Sequence, residues 1–416
     1  MIERESRRTS VALLLVTVLL VAANLRPTVQ GVGPLLDQIG RETGLTPTLL
    51  GLLGALPLLM YALVSPLAHS LSHRFGMNRT MLVALIGLLV ATIVRSIDAG
   101  LAPLWIGTIL TGIAIAIGNV LMTAIIKHWF PDRLHALMPI YTSILSGTGA
   151  IASGLVVPIS HLAWGDGTAG WRLALLATGV LIVPGIVVWL IAIARTGPDR
   201  VEGEAPEPRA RGIWRDSTAW LVAGYMGFQG AGFYMMVTWL SPLSISYGTG
   251  EVQAGVEVMV VQLFGILGGL AMPFLLRGRG RRWTPVALPL PALLGLAGLL
   301  LWPQVTWLWA AIFGTASGGM FAVSMWLTAD RARGRNSATA LSGMAQSVGY
   351  AVAGLGPIAF GALHSLTGAW VLSLGLVAFC MLALFVVGFL LRNHRYVLDR
   401  KDAADEPSAP SATQAP

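Results

Sequence analysis

Apolar residues in this chain do not alternate with polar ones at the period of a strand or fall on one helical face; they run on. A helix needs about 20 mainly apolar residues to cross ~30 Å of hydrocarbon. Runs of that kind recur twelve times: Val11–Leu36, Pro47–Leu71, Thr80–Ile97, Pro103–Ile126, Ala136–Ile159, Trp171–Ala194, Ser217–Tyr247, Gln253–Leu276, Val286–Leu301, Trp307–Thr328, Ala338–Ala362 and Trp370–Leu391. Each predicts a membrane-spanning helix. Pro285, Pro289 and Pro291 crowd the start of the ninth. The many glycines inside the runs suit close helix packing in lipid, where small residues let backbones approach.

The polar stretches between the runs differ in charge by turns. One set holds Arg4, Arg7 and Arg8; Arg74 and Arg79; Lys127 and Arg133; Arg195, Arg200, Arg209, Arg211 and Arg215; Arg277, Arg279, Arg281 and Arg282; Arg331, Arg333 and Arg335; and Arg392, Arg395, Arg400 and Lys401. The other set holds only Arg41, Arg95 and Arg172. Cytoplasmic loops carry the excess of Lys and Arg, so both termini and the central stretch are expected in the cytoplasm, which requires an even number of spans. The organisation expected is a cytoplasmic tail (1–10), a six-helix bundle (11–194), a Pro-, Gly-, Glu- and Arg-rich linker (195–216), a second six-helix bundle (217–391) and a disordered cytoplasmic tail (392–416). The halves are faintly alike: Trp105 precedes Gly107, Gly112 and Gly118 in the fourth run, as Trp307 and Trp309 precede Gly314, Gly318 and Gly319 in the tenth.

Composition agrees with this and narrows the function. Hydrophobic residues make up 55% and charged residues 11%, against roughly a quarter charged in soluble domains. Such a chain lacks the polar groups to cover a surface in water. Its net charge of +8 is scattered between apolar runs and forms no basic face for nucleic acid. The single cysteine, Cys380, excludes an intrachain disulfide and a multi-cysteine metal site. No Walker A motif is present, so ATP-driven pumping by this chain is not expected, and no catalytic constellation stands out. The expectation is an all-α, multi-pass protein of the inner (plasma) membrane, monomeric, without metal or cofactor, whose partners are the bilayer and a small molecule.

Twelve spans in a six-plus-six arrangement resemble the major facilitator superfamily. The superfamily's signature after the second helix is Gly, three residues, Asp, then Arg-x-Gly-Arg-Arg. Here the stretch runs from His69 through His73-Arg74-Phe75-Gly76 to Arg79. Arg74 and Gly76 match, and the resemblance implies a gating loop that includes Arg74, Gly76 and Arg79. His69 and His73 stand where the Gly and the Asp are expected. Three further segments resemble the branch that contains cyanate and nitroimidazole transporters: Ala23-Asn24-Leu25-Arg26-Pro27 with Val32-Gly33-Pro34-Leu35-Leu36; Gly118-Asn119-Val120-Leu121-Met122 running into Ile126-Lys127-His128-Trp129-Phe130-Pro131; and Gln229, Phe233-Tyr234 and Trp239-Leu240-Ser241-Pro242. That branch implies small anions or small polar nitrogen compounds as substrates.

Arg26 is the most informative residue. It lies about 15 residues, or ~22 Å, into the first span. An arginine at that depth costs ~2.5–3.5 kcal/mol on insertion scales and usually faces a cavity or a partner. Its planar fork of donors matches a carboxylate or similar anion. Gln30 shares its helix face, and Pro27 should kink the helix beside it. Asn24, Asn119, Gln229, Tyr234, Trp239, Gln262 and Gln346 complete the candidate substrate-binding set, with interhelical bonding or interface anchoring as the alternative for each. Glu257, a turn into the eighth span, is either a proton-coupling group, with protons as the coupling ion, or a solvated carboxylate at the outer mouth or a fixed ion-pair partner of Arg26. The leading function is secondary transport of a small, anionic solute by alternating access. The alternatives are efflux of small drug-like or nitroaromatic compounds, and a membrane-embedded sensor without transport.

Overall fold

The computed structural model describes residues 2–165, 167–196, 212–393 and 395–398. Most of the expected linker and most of the expected C-terminal tail therefore lie outside the described residues. Among the described residues, eleven segments are long and apolar enough to cross a bilayer. The twelfth is the seventh in order, Ser217–Ser246, a helix of 30 residues and ~45 Å. Gly, Ser, Thr, Gln and Tyr thin out its hydropathy, yet most of its length is buried. It packs against the eighth, tenth, eleventh and twelfth spans and the outer third of the first. Because protein surrounds it, this helix need not be uniformly apolar.

Local chemistry starts the helices where turn residues precede apolar runs. The Thr46 hydroxyl accepts the Leu49 N–H at the head of the second span, Pro47–Phe75. The Asp216 carboxylate accepts the Ala219 N–H at 3.0 Å at the head of the seventh, satisfying a helix-end donor that has no partner in its own helix. Outside the helices there is a two-residue antiparallel pairing, Ala163–Trp164 with Gly167–Thr168, in the loop between the fifth span, Leu134–Ser160, and the sixth.

The first window is not one helix. It is built as Ile2–Asn24, Pro27–Gln30 and Val32–Thr43. Pro27 has no N–H to give back to the preceding turn, and its ring crowds the carbonyl four residues earlier. The chain therefore breaks at Leu25-Arg26 and restarts with Val29, Gln30 and Gly31 bonding to the Arg26 and Pro27 carbonyls. The sixth span is also divided, into Gly170–Ala177 and Ile182–Thr196. The ninth is divided into Gly280–Ala287 and Pro289–Leu301, so it starts ahead of the expected Val286.

Among the described residues the two halves meet mainly through three pairings. The first span's Val32–Thr43 lies on the seventh, the second span lies on the eleventh (Arg335–Thr367), and the fifth lies on the eighth (Glu251–Leu275). At the end remote from the termini they are laced together. Gln38 donates to Glu251 Oε2 at 2.8 Å, His161 lies 3.0 Å from the same oxygen, and Arg41 bonds both Asp37 and Glu251. Ser241 reaches the Pro34 carbonyl at 3.4 Å. Arg95, counted among the outer-loop charges from sequence, is instead buried at 1% exposure inside the first half.

Candidate functional site

A cavity of about 490 Å³ lies between the halves. Arg26, Gln30, Gln229, Tyr234 and Gln262 line it, with Phe233, Tyr350, Ser317 and Phe321. Its lining extends to Met138 and Pro139 at the start of the fifth span, and to Pro273 and Met325 near the ends of the eighth and tenth. Those ends lie on the side of the termini. The cavity is thus walled off by the Glu251 lacing at one end and lined toward the other.

The break in the first span is what delivers Arg26. The guanidinium projects from the interrupted segment, and its Nη1 donates to the Tyr234 hydroxyl at a long 3.4 Å. Its Nε is buried without a hydrogen-bond partner. Among the described residues no carboxylate pairs with it. The groups that feel its charge are the phenols of Tyr234, Tyr61, Tyr350 and Tyr141. Tyr61 and Tyr350 come from opposite halves, with ring centroids 5.4 Å apart. Asn119 donates to the Tyr61 hydroxyl at 2.7 Å, and Tyr141 donates back to Asn119 at 3.2 Å. The result is a cation in low dielectric, ringed by neutral phenols. Each is a dipole that can turn either way, and none neutralises the charge.

Three amides share the cavity. The Gln30 side-chain oxygen is buried and unpartnered. It sits against Gly149, where a Cβ would come within 1.7 Å of it, so only glycine fits there. Gln262 donates to Ser153 at 2.7 Å, which in turn donates to the Gln30 carbonyl at 3.0 Å, and the Gln262 oxygen is left unpartnered. Gln229 has only a 3.9 Å approach to the Met226 sulfur. A ligand here would meet one forked cation and acceptor oxygens from Gln30 and Gln262, set in a wall of methionine and aromatic side chains.

The other sequence candidates stand elsewhere. Asn24 points away from the cavity, donating to the Leu20 and Leu181 carbonyls at 2.8 and 2.9 Å, the latter at the break in the sixth span. Asn119 sits behind the cavity among the tyrosines. Trp239 donates to the Pro357 carbonyl at 2.9 Å and stacks on Phe360. Gln346 is exposed and bonds Ser342 within its own helix. Glu257 is 2% exposed and takes hydrogen bonds from Ser244 and Gln253; among the described residues the alternative of a fixed ion pair with Arg26 is not formed. The opposing charge the sequence suggested for Arg26 lies a layer outward, bound to a hydroxyl. Arg74 and Arg79 are exposed at the termini-side end of the second and third spans, and Gly76 between them has φ 86°, a turn that favours glycine.

Tyr61, Tyr141 and Tyr350 were not among the sequence candidates. A signal for them existed. The chain has 7 tyrosines, and four surround Arg26, each within an apolar run where a hydroxyl needs a reason to be.

Comparison with known proteins accords with this architecture. Residues 14–354 match the family profile of the Major Facilitator Superfamily. The chain is 32% identical over 387 residues to an uncharacterised transporter, YycB, of Bacillus subtilis, covering 92% of this chain and 94% of that one. It is 34% identical over 376 residues to the 2-nitroimidazole transporter of Escherichia coli, covering 90% and 94%. It is 25% identical over 378 residues to the cyanate transport protein CynX of Escherichia coli, covering 90% and 96%. Among solved structures, a bacterial homologue of the human lysosomal transporter Spinster, in an inward-facing and unoccupied conformation, superposes with a TM-score of 0.71. Identity is 18%, with 92% of this chain and 95% of that one covered, a likeness of fold.

Proposed function

The chain belongs to the Major Facilitator Superfamily, in the branch that includes the 2-nitroimidazole and cyanate transporters, and we propose that it is a secondary active transporter of a small organic anion. The observation that carries this reading is Arg26, a guanidinium at the cavity wall with an unpartnered Nε and, among the described residues, no carboxylate beside it. Holding such a charge away from water is costly unless something completes it. An anion entering the cavity would supply the missing partner through the forked, charge-assisted bonds that guanidinium makes best.

The cavity also speaks to size. At about 490 Å³ it is within the usual range for ligands of drug-like dimensions and far larger than a triatomic anion requires. Phe233, Phe321, Tyr234 and Tyr350 offer ring faces, while Gln30 and Gln262 offer acceptors. The best fit is a planar anion of about one ring, bearing a hydrogen-bond donor besides its charge. With the basic loops placed in the cytoplasm, both termini are cytoplasmic and the described state is open inward. Alternating access then consists of breaking the Glu251 lacing while the termini-side ends of the spans close.

The test is uptake into proteoliposomes of a panel holding 4-hydroxybenzoate, cyanate and 2-nitroimidazole, with wild type and Arg26→Gln. Saturable transport of the ring-bearing anion that is lost in the variant supports the proposal. A second reading, efflux of a neutral nitroaromatic, draws on the same apolar wall. Transport of 2-nitroimidazole that survives Arg26→Gln, with no anion carried by either protein, would establish that reading instead.

A further inference from the structure

A second hollow, of about 380 Å³, lies at the termini-side end of the second half, apart from the transport cavity. It is lined by Gly278, Arg281, Arg282, Arg331, Arg392 and Tyr396. These come from the loop after the eighth span and the first turn of the ninth (Gly280–Ala287), the end of the tenth (Thr306–Asp330) and the end of the twelfth (Trp370–Leu391). Four guanidinium groups thus converge from three separate places in the chain.

Arg331 forms the floor. It is 4% exposed. Its Nη2 donates to the Leu391 carbonyl at 2.7 Å, closing the end of the twelfth helix. Its Nε, 3.7 Å from Asp330 Oδ2, and its Nη1 are buried without hydrogen bonds. Asp330 is itself buried and bonds Arg281. No carboxylate is among the described residues lining the hollow. Burial lowers the pKa of Arg331; Asp330 opposes that, and Arg281, which shares Asp330 with it, lowers it again. At the rim, Arg392 is held over the rings of Phe389 and Trp283, at 4.3 and 5.5 Å to the centroids. Arg277 lies likewise over Phe274 at 5.3 Å. Phe274, Trp283 and Phe389 are exposed at helix ends, the level at which aromatic residues settle among lipid headgroups.

We propose that this hollow binds a phosphate group at the membrane surface, with Arg331 as its floor and Arg282 and Arg392 as its rim. Phosphate oxygens match forked guanidinium donors. Basic clefts between helix ends on the cytoplasmic face are suited to anionic headgroups. The same chemistry is offered by an anionic phospholipid and by soluble phosphate, and the experiment separates them.

The experiment is thermal unfolding of the purified full chain in neutral detergent, with added phosphatidylglycerol, phosphatidylcholine or inorganic phosphate. Phosphatidylglycerol should raise the midpoint in a saturable way and phosphatidylcholine should not. Arg282→Gln/Arg392→Gln should weaken the apparent affinity at least about tenfold. Arg74→Gln/Arg79→Gln removes the same charge from exposed positions at the termini-side end of the first half and should leave it unchanged. If millimolar inorganic phosphate reproduces the shift with the same dependence on the variants, the site stands and its ligand is soluble. If neither ligand shifts the midpoint, or if both double variants respond alike, the proposal is overturned.

Discussion

Arg95, at the end of the third span, places Nη1 2.5 Å from the carbonyl oxygen of Thr28 in the broken part of the first. Its Nη2 bonds the Leu175 carbonyl and the Thr178 hydroxyl beside the break in the sixth span. One buried guanidinium therefore ties two interruptions together; the Leu175 carbonyl also accepts from the Thr178 N–H and hydroxyl, so the Thr28 carbonyl is the acceptor that depends on Arg95. Gly107 makes the space: a Cβ there would sit 2.4 Å from Arg95 Cβ. Arg95 touches no part of the cavity, so it acts on transport by holding the segment that carries Arg26. Arg95→Met should cost about 1–3 kcal/mol for the Thr28 acceptor left bare, seen as earlier thermal unfolding in detergent. Its transport defect should appear mainly as a raised KM. A variant with wild-type stability and KM would show the tie to be idle.

Arg26 itself tests the anion reading more directly. Arg26→Lys keeps the charge but replaces a planar fork with a point donor. Transport of an anion should fall by at least about tenfold, with normal amounts of protein in the membrane. Arg26→Ala should remove it. Equal rates in Arg26→Lys and wild type would mean that charge alone, without geometry, is what the site uses.

Gly149 and Gln30 offer a paired test. Gly149→Ala puts a methyl on the Gln30 side-chain oxygen, so the amide must leave its place in the cavity wall. Transport should drop with little loss of expression. Adding Gln30→Ser removes the clashing amide, so the double variant should be no worse than Gln30→Ser alone. Such non-additivity is the sign of two residues sharing one space. Additive losses would place the effect of Gly149→Ala elsewhere, in helix packing.

How much of this was legible beforehand differs from place to place. The spans were, because a bilayer asks the same thing of every lipid-facing helix and the answer is written locally. The break at Arg26 was legible as a kink from Pro27, but its extent was not. Whether a helix merely bends or divides depends on what satisfies the freed carbonyls, and here that is Arg95, some 70 residues away. Arg95 itself read as an outer-loop charge because it ends an apolar run. Its burial depends on a glycine in the next helix and is invisible to a window. Gln30, Gln229 and Gln262 could be singled out because a mid-span amide is conspicuous. Tyr61, Tyr141 and Tyr350 passed as apolar, since a phenol is at home in a hydrophobic run until its hydroxyl is seen to point at something. For Glu257 the sequence left a proton-coupling role, a solvated place and a pairing with Arg26 open, and only the fold shows that its partners are Ser244 and Gln253.

The outer lacing predicts how the equilibrium between states should respond to mutation. Glu251 is the acceptor shared by Gln38, Arg41 and His161, drawing in the first span, the loop after the fifth and the head of the eighth. Partly exposed ion pairs contribute up to about 1 kcal/mol, which corresponds to about fivefold in a two-state population. Glu251→Gln should therefore increase outward opening several-fold. The readout is labelling of Ser143→Cys, in the cavity wall, by a membrane-impermeant thiol reagent applied outside intact cells. Native Cys380 is buried and stays silent. Unchanged labelling would mean that the apolar contacts between halves, and not this lacing, hold the outside shut.

Coupling is the last question, and Glu257 is where the structure lets it be asked. A cell interior at −100 mV opposes entry of each negative charge by ~2.3 kcal/mol, so an anion importer gains by carrying a proton along. That requires a titratable group that changes environment with the transport cycle. Glu257 is nearly inaccessible, has the Ser244 hydroxyl as its partner, and stands two turns from the Glu251 lacing on the same helix. Opening of the outer end would therefore bring water toward it, and closing would shut water out. It does not touch Arg26, so proton and anion would be linked through the movement of the eighth span and not by direct charge contact. Glu257→Gln keeps shape and the bond to Ser244 while removing the proton exchange. In proteoliposomes with an inward-directed proton gradient, wild type should accumulate the anion above equilibrium, whereas Glu257→Gln should only equilibrate it, with exchange across the membrane preserved. Equal accumulation by both would take the proton away from Glu257. Accumulation by neither would make the protein a uniporter.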